Sequence, residues 1–259
     1  MKTVLLTGSQ GYIGNNFYQK YENIYNFVLL DKKIGRPVQD YMNFDVDEID
    51  YIIHLAAISG IANCEENPDM TFIDNVSTTL HLMMASWAFN IPMIFASSQC
   101  AKNPGSSLYA TTKRIGEVEA MRYNNKSGNI KCLRFSNIYG GLLYLEKKTS
   151  AVSKFMKAKS KNESLIIHGD GSQTRDFIHV DEVCKAIETC LSDEKIKYPV
   201  DVGTGIARSV KEVANMISDN IIYEKERDVG SSSSIANIED IKKLTGFVAK
   251  DKLKEYIDG

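Results

Sequence analysis

"TVLLTGSQGYIG", residues 3–14, decides the fold. A short apolar run leads straight into Gly8, Gly11 and Gly14, spaced G-x-x-G-x-x-G, and a helical pattern begins at Gly11. Where a strand bends directly into a helix, glycines allow the bend and let backbone approach a pyrophosphate that side chains would block. The helix N-terminus adds amide donors and partial positive charge. The plain alternative is a glycine-rich turn without a ligand, but the strand before it and the helix after it favour dinucleotide binding. The next strand, "FVLLD" (27–31), ends on Asp31. A carboxylate there takes the ribose hydroxyls and repels a 2′-phosphate, which selects NAD over NADP; Lys32 and Lys33 work against that preference.

Outward from this unit, apolar runs alternate with helical patterns. "YIIHLAA" (51–57), "MIFASS" (93–98) and "IKCLRFS" (130–136) read as strands. Helical patterns run from about Pro68 to Phe89 and from about Leu108 to Tyr123. Short strands buried on both faces and separated by helices give a parallel sheet with right-handed crossovers, hence a doubly wound α/β fold of the Rossmann type. After Gly140 the pattern loosens. The expected organisation is a nucleotide-binding domain over 1–140 with 172–198, and a small C-terminal substrate-binding lobe over 141–171 with 199–259.

A net charge of −2 over 259 residues gives no electrostatic argument for a nucleic-acid or membrane partner. "MKTVLLTGSQ" reads as the first strand rather than a leader, since glycine and polar residues replace a full apolar region. The five cysteines are scattered without C-x-x-C or metal spacing, which fits a reducing cytoplasm and no metal site. His54 falls inside a buried strand pattern and reads as a core residue.

"SSQCAKNPGSSLYATTK" (97–113) carries the candidate chemistry. A free tyrosine, with a pKa of about 10, is a poor base at neutral pH. Lys113 lies one helical turn beyond Tyr109 on the same face, and its charge, with that of an oxidised nicotinamide, favours the phenolate. Ser98 can hold the substrate oxygen, with Ser97 and Ser107 as alternatives. Alone, Y-x-x-x-K is also what an ordinary amphipathic helix shows; its place after a strand ending in "ASS" raises its weight.

With these motifs in order, the chain resembles the extended short-chain dehydrogenases/reductases, the NAD-dependent nucleotide-sugar epimerases and dehydratases, over nearly its whole length. "TGSQGYIG", "YIIHLAA", "DNVSTTLHL", "YATTKRIGE" and "LRFSNIYG" match, and "GDGSQTRDFIHVDEV" (169–183) is the most specific. The resemblance implies an NAD enzyme acting on a nucleotide-diphosphate sugar, paired as a homodimer through the two long helices. Cofactor contacts would come from Gly8, Gln10, Gly11, Tyr12, Ile13 and Gly14, from Asp31, and from Asp45 and Val46 near adenine. Leu55, Ala56, Ala57, Asn75, Tyr109, Lys113 and Phe135 complete that set. Substrate contacts would come from Ser98, Cys100, Asn137 and Lys147. Arg175 and Arg227 match positions that hold the diphosphate, for which an arginine fork is suited. The plain alternative for each arginine is a surface ion pair; Asp170 and Asp176 flank Arg175.

Two departures bear on the reaction. Only "QCAKNPGSSL" separates Ser98 from Tyr109, where relatives carry a longer segment that covers the sugar. Gln99 and Cys100 stand where 4,6-dehydratases place an Asp-Glu pair, and the glutamate of the decarboxylase pattern is missing. A 4-epimerase needs only the Ser-Tyr-Lys set and is the leading reading. The runner-up takes Ser98-Gln99-Cys100 as the S-x-C spacing of GDP-mannose 3,5-epimerase and GDP-fucose synthase, with Cys100 as carbon base and Lys147 as acid. Against that, a cysteine there can be an inert pocket residue. A third reading, of another class, is a non-catalytic NAD-binding scaffold.

Overall fold

The computed structural model describes every residue except Phe44, 143–149 and 226–232. Its strands are β1 (Thr3–Thr7), β2 (Asn26–Leu30), β3 (Tyr51–His54), β4 (Met93–Ser98), β5 (Ile130–Phe135), β6 (Asn137–Tyr139), β7 (Leu165–His168), β8 (Thr174–His179), β9 (Val200–Val202), β10 (Ala207–Ser209), β11 (Ile221–Glu224) and β12 (Ser233–Ser234). Among the described residues the helices are α1 (Tyr12–Tyr21), α2 (Ile61–Glu66), α3 (Pro68–Phe72), α4 (Thr78–Ala88), α5 (Leu108–Asn124), α6 (Ala151–Ser160), α7 (Val180–Leu191), α8 (Val210–Ile217), α9 (Glu239–Thr245) and α10 (Leu253–Asp258).

Six parallel strands form the main sheet in the order β2-β1-β3-β4-β5-β9. The chain leaves β1 in one direction to make β2 and returns on the other side to make β3, so the order reverses at β1. The crevice above the carboxyl ends of the strands at such a reversal is where ligands bind in open α/β sheets. Successive residues of each strand feed opposite faces. Val4, Leu6, Ile53, Ile94, Ala96 and Leu133 join α7 residues Val183 and Ile187 in one core layer. Leu5, Ile52, Met93, Phe95 and Cys132 join Leu82, Met83 and Ala120 of α4 and α5 in the other.

The expected long helix from Pro68 is present but not regular. Between α3 and α4 the chain makes a π turn over Ile73–Ser77, which buries Asn75. Such turns are often found at functional sites.

The observed layers differ from the expected domain bounds. Val200–Val202 pairs with β5 as the edge of the main sheet, and Thr174–His179 sits in a smaller sheet, between β10 and β12 and also paired with β6. The division at 198/199 missed β9 because three residues carry no periodicity. A third core cluster gathers Phe155 of α6, Leu165 and Ile167 of β7 and Val213 of α8 around Tyr139 and Phe177.

Candidate active site

The glycine loop closes on itself. Gly8 has φ +70°, and a Cβ there would lie 2.7 Å from the Ala56 nitrogen; a Cβ on Gly14 would lie 2.2 Å from the Gly8 carbonyl oxygen. The amides of Leu55 and Ala56 donate to the Thr7 carbonyl (3.2 Å) and the Thr7 hydroxyl (3.3 Å), so the turn after β3 is tied to the end of β1. One Asp31 carboxylate oxygen accepts the Gln10 amide at 2.9 Å and the other accepts the Lys33 amide at 2.9 Å. Asp31 is therefore held against the loop. Lys32, one of the two lysines weighed against NAD, is drawn to Asp74 at 2.7 Å. A bare-backbone cradle beside a fixed carboxylate is a donor set that fits NAD.

The remaining expected cofactor residues divide by environment. Tyr12 donates its hydroxyl to the Gly140 carbonyl at 2.6 Å, and half-buried Ile13 packs on the main core. Asp45 is exposed and caps the amide of Asp47, while Val46 packs on the second core layer. Leu55, Ala56 and Ala57 are half-buried at the crevice. Two of the side chains are buried. Asn75, 1 % exposed, accepts from the Ile58 amide (2.8 Å) and donates to the Ile58 carbonyl (2.9 Å) and the Thr112 hydroxyl (3.4 Å). It braces the turn after β3 against the catalytic helix. The Phe135 ring belongs to the core.

Ser98, Tyr109 and Lys113 converge. Ser98 ends β4 in an extended conformation and Ser107 caps α5, its oxygen accepting the Ala110 amide. Burial pushes the Tyr109 phenol above its ordinary value, Cys100 adds to the rise, and the neighbouring Ser98 hydroxyl pulls the other way. Lys113 is 5 % exposed, and burial pushes its ammonium down to about 8, with Cys64, Cys132 and Glu117 opposing. Its Nζ lies 5.9 Å from the centre of the Tyr109 ring. Of the alternative serines, Ser97 donates to Glu117 at 2.6 Å and is part of the framework.

On the substrate side, half-buried Cys100 is close enough to raise the titration of both Tyr109 and Arg175. Arg175 is half-buried on β8, held below its usual guanidinium value by that burial, and donates to the Thr174 carbonyl. Asn137 donates to the Asp176 carbonyl at 3.2 Å. Lys147 and Arg227 lie outside the described residues. A cavity of about 600 Å³ opens on the small lobe, lined by Ser150, Lys154, Ile166, His168 and Gln173 among others. No group of residues arranged to hold a metal ion occurs among the described residues.

Sequence reasoning missed the buried carboxylates that frame the site. Asp176, weighed only as an ion-pair partner for Arg175, is fully buried and turned to the other side of its strand. Its oxygens accept from the Thr204 amide and hydroxyl, the Gly205 amide and the Ala236 amide. Glu117, also fully buried, takes a two-pronged bond from Arg134 at 2.7 Å on each oxygen. The Y-x-x-x-K-x-x-x-E register of α5 was the one available signal for Glu117. The partners of Asp176 are mostly backbone amides, which leave no mark in the sequence.

Comparison with known proteins places the chain in a family. Residues 4–203 match the model of the NAD dependent epimerase/dehydratase family. A putative UDP-glucose 4-epimerase from Methanocaldococcus jannaschii is 31 % identical over 266 residues, covering 87 % of this chain and 86 % of the relative. The fold is shared with UDP-N-acetylglucosamine 4-epimerase from Methanobrevibacter ruminantium, solved with UDP-N-acetylmuramic acid (TM-score 0.87, 24 % identity, 99 % of this chain and 97 % of that one). It is also shared with UDP-glucuronic acid 4-epimerase from Bacillus cereus, solved with UDP-glucuronic acid and NAD (TM-score 0.83, 22 % identity, 99 % and 96 %). The family match across the whole parallel sheet, together with the glycine cradle, Asp31 and the Ser98–Tyr109–Lys113 group, establishes that the chain belongs to the NAD-dependent epimerase/dehydratase family of enzymes.

Proposed function

We propose that this enzyme is a nucleotide-sugar 4-epimerase, acting on a UDP-sugar of the kind named for its relatives. The observation that carries the reading is the Ser98–Tyr109–Lys113 group without an acidic pair beside it. Gln99, at the first position where a dehydratase places its acid, is buried and donates to the Arg134 carbonyl at 3.2 Å, away from proton-transfer work.

NAD supplies the acceptor and donor of hydride at C4 of the sugar. Tyr109 takes the proton of the 4-hydroxyl as that carbon is oxidised and returns it on reduction. Ser98 holds the sugar oxygen, and Lys113, fixed under the tyrosine, favours the phenolate. Arg175 holds the diphosphate, and the cavity beside its strand takes the nucleoside. Epimerisation results when the 4-keto sugar turns its other face before reduction.

The assay is incubation with NAD and UDP-glucose, UDP-N-acetylglucosamine or UDP-glucuronic acid. A C4 epimer of unchanged mass is expected; loss of water or carbon dioxide overturns the reading. The second reading, Cys100 as a carbon base, is favoured by its half-open position beside Tyr109 and Arg175.

The pairing is a homodimer through α4 and α5. Met84, Trp87 and Val118 are exposed on these helices, and Phe89 directly after α4, although all are large and apolar. One face pairing with itself is the simplest closed assembly. Light scattering that shows a monomer at every micromolar concentration would remove this part.

A further inference from the structure

The connection from Ser98 to Tyr109 is ten residues with two short turns, Gln99–Lys102 and Pro104–Ser106. Gln99 and Ala101 are buried, Gln99 donates to the Arg134 carbonyl at 3.2 Å, and the Thr111 hydroxyl donates to the Pro104 carbonyl at 2.6 Å. Lys102 reaches out of the first turn and pairs with Asp201 on β9. Asp201 is 4 % exposed and also accepts the Asn237 amide at 2.8 Å. Its other oxygen lies 3.8 Å from Arg134 on β5. Arg134 is clamped to Glu117 on α5, and Glu117 accepts the Ser97 hydroxyl at 2.6 Å. The charges alternate along this path, which starts four residues after Ser98 and ends on the residue before it.

We propose that Lys102 and Asp201 are positioning residues: their ion pair latches the short active-site connection to the edge strand of the sheet and so sets where Ser98 and Cys100 stand relative to Tyr109. The proposal rests on the reading of Ser98 as the residue that holds the sugar oxygen. The latch adds a charged tie to the contacts of Gln99, Ala101 and Pro104. Lys102 is the part that can be removed cleanly. Its side chain is 41 % exposed, and without it Asp201 keeps Arg134 and the Asn237 amide, so no buried charge is stranded. Small misplacement of a group that orients substrate costs rate out of proportion to the distance moved.

The test uses the full chain with NAD. In Lys102→Met, amide exchange across Gln99–Ser106 should quicken while exchange across the glycine loop stays as in the wild type. With UDP-glucose, UDP-N-acetylglucosamine or UDP-glucuronic acid, whichever the wild type turns over, kcat should fall roughly tenfold with KM little changed. Lys102→Arg should restore most of it. In a double-mutant cycle, Lys102→Met should add nothing to the loss caused by Ser98→Ala, since both act through one hydroxyl. Unchanged exchange in Gln99–Ser106, wild-type kcat in Lys102→Met, or losses that add with Ser98→Ala would each overturn the latch. Ser98→Ala with full turnover would instead remove the reading of Ser98, and the latch with it; an inactive Ser98→Ala beside a fully active Lys102→Met removes the latch alone.

Discussion

The Lys113 ammonium donates to the carbonyl of Ala96 at 2.7 Å, two residues before Ser98 on the same strand. That bond holds the ammonium 5.9 Å from the centre of the Tyr109 ring, in a site whose burial opposes a phenolate; in the proposed mechanism the charge offsets that opposition. Tyr109→Phe, which removes one hydroxyl, should lower turnover by about 10²–10⁴-fold and leave NAD bound. Lys113→Met moves phenolate formation to higher pH, so its residual turnover should still climb with pH where the wild type has levelled. Full activity in the phenylalanine variant, or a methionine variant with the wild-type pH profile, would separate these residues from proton transfer.

Asp31 braces the glycine loop through the Gln10 amide, and in the proposed reading it also takes the ribose hydroxyls. Asp31→Ala should weaken NAD roughly tenfold or more, as expected when charge-assisted hydrogen bonds are lost, and narrow the preference over NADP. Competitive titration of both cofactors measures this. A preference for NAD unchanged by the substitution would place discrimination elsewhere.

The two readings of Cys100 part in heavy water. A 4-epimerase returns hydride to the carbon it came from, so the product should hold no carbon-bound deuterium, and Cys100→Ser should change kcat little. Deuterium beside the keto carbon, lost in Cys100→Ser, would move the enzyme to the 3,5-epimerase type.

Lys131 offers a check on electrostatics remote from catalysis. It is fully buried, donates to the Leu191 carbonyl at the end of α7, and is pushed down to about 8 by burial. Its folded value lies below its unfolded one. Between about pH 8 and 10.5 the unfolded chain binds more protons at this site, and stability from this residue rises with pH across that window. The stability difference between wild type and Lys131→Met should therefore shift toward the wild type from about pH 7.5 to about pH 9.5, read by denaturant melts. A constant difference would show that Lys131 keeps its charge when folded.

The sequence revealed what is local. The first five strands, the glycine loop and the tyrosine–lysine spacing each lie within a dozen residues, and all stand where expected. Side-chain roles set by distant partners were hidden. Asp176 meets amides 28 to 60 positions away, and nothing near it in the chain signals that. Asn75 was expected at the cofactor by resemblance; its bonds to Ile58 depend on a π turn that leaves no periodic signature. The edge strand β9 escaped notice because a three-residue strand is recognisable only by its neighbour.

The π turn over Ile73–Ser77 also bears on how this chain can vary in length. A π turn holds one residue more than the α-helical turn it replaces. Removing one of its five residues would let α3 and α4 fuse into a regular helix with their relative bearing nearly unchanged, because only the extra residue is lost. Asn75, held at Ile58 from within the turn, is the side chain that would be displaced. Single-residue gaps should therefore be better tolerated here than elsewhere along these two helices, at the cost of the Asn75 brace.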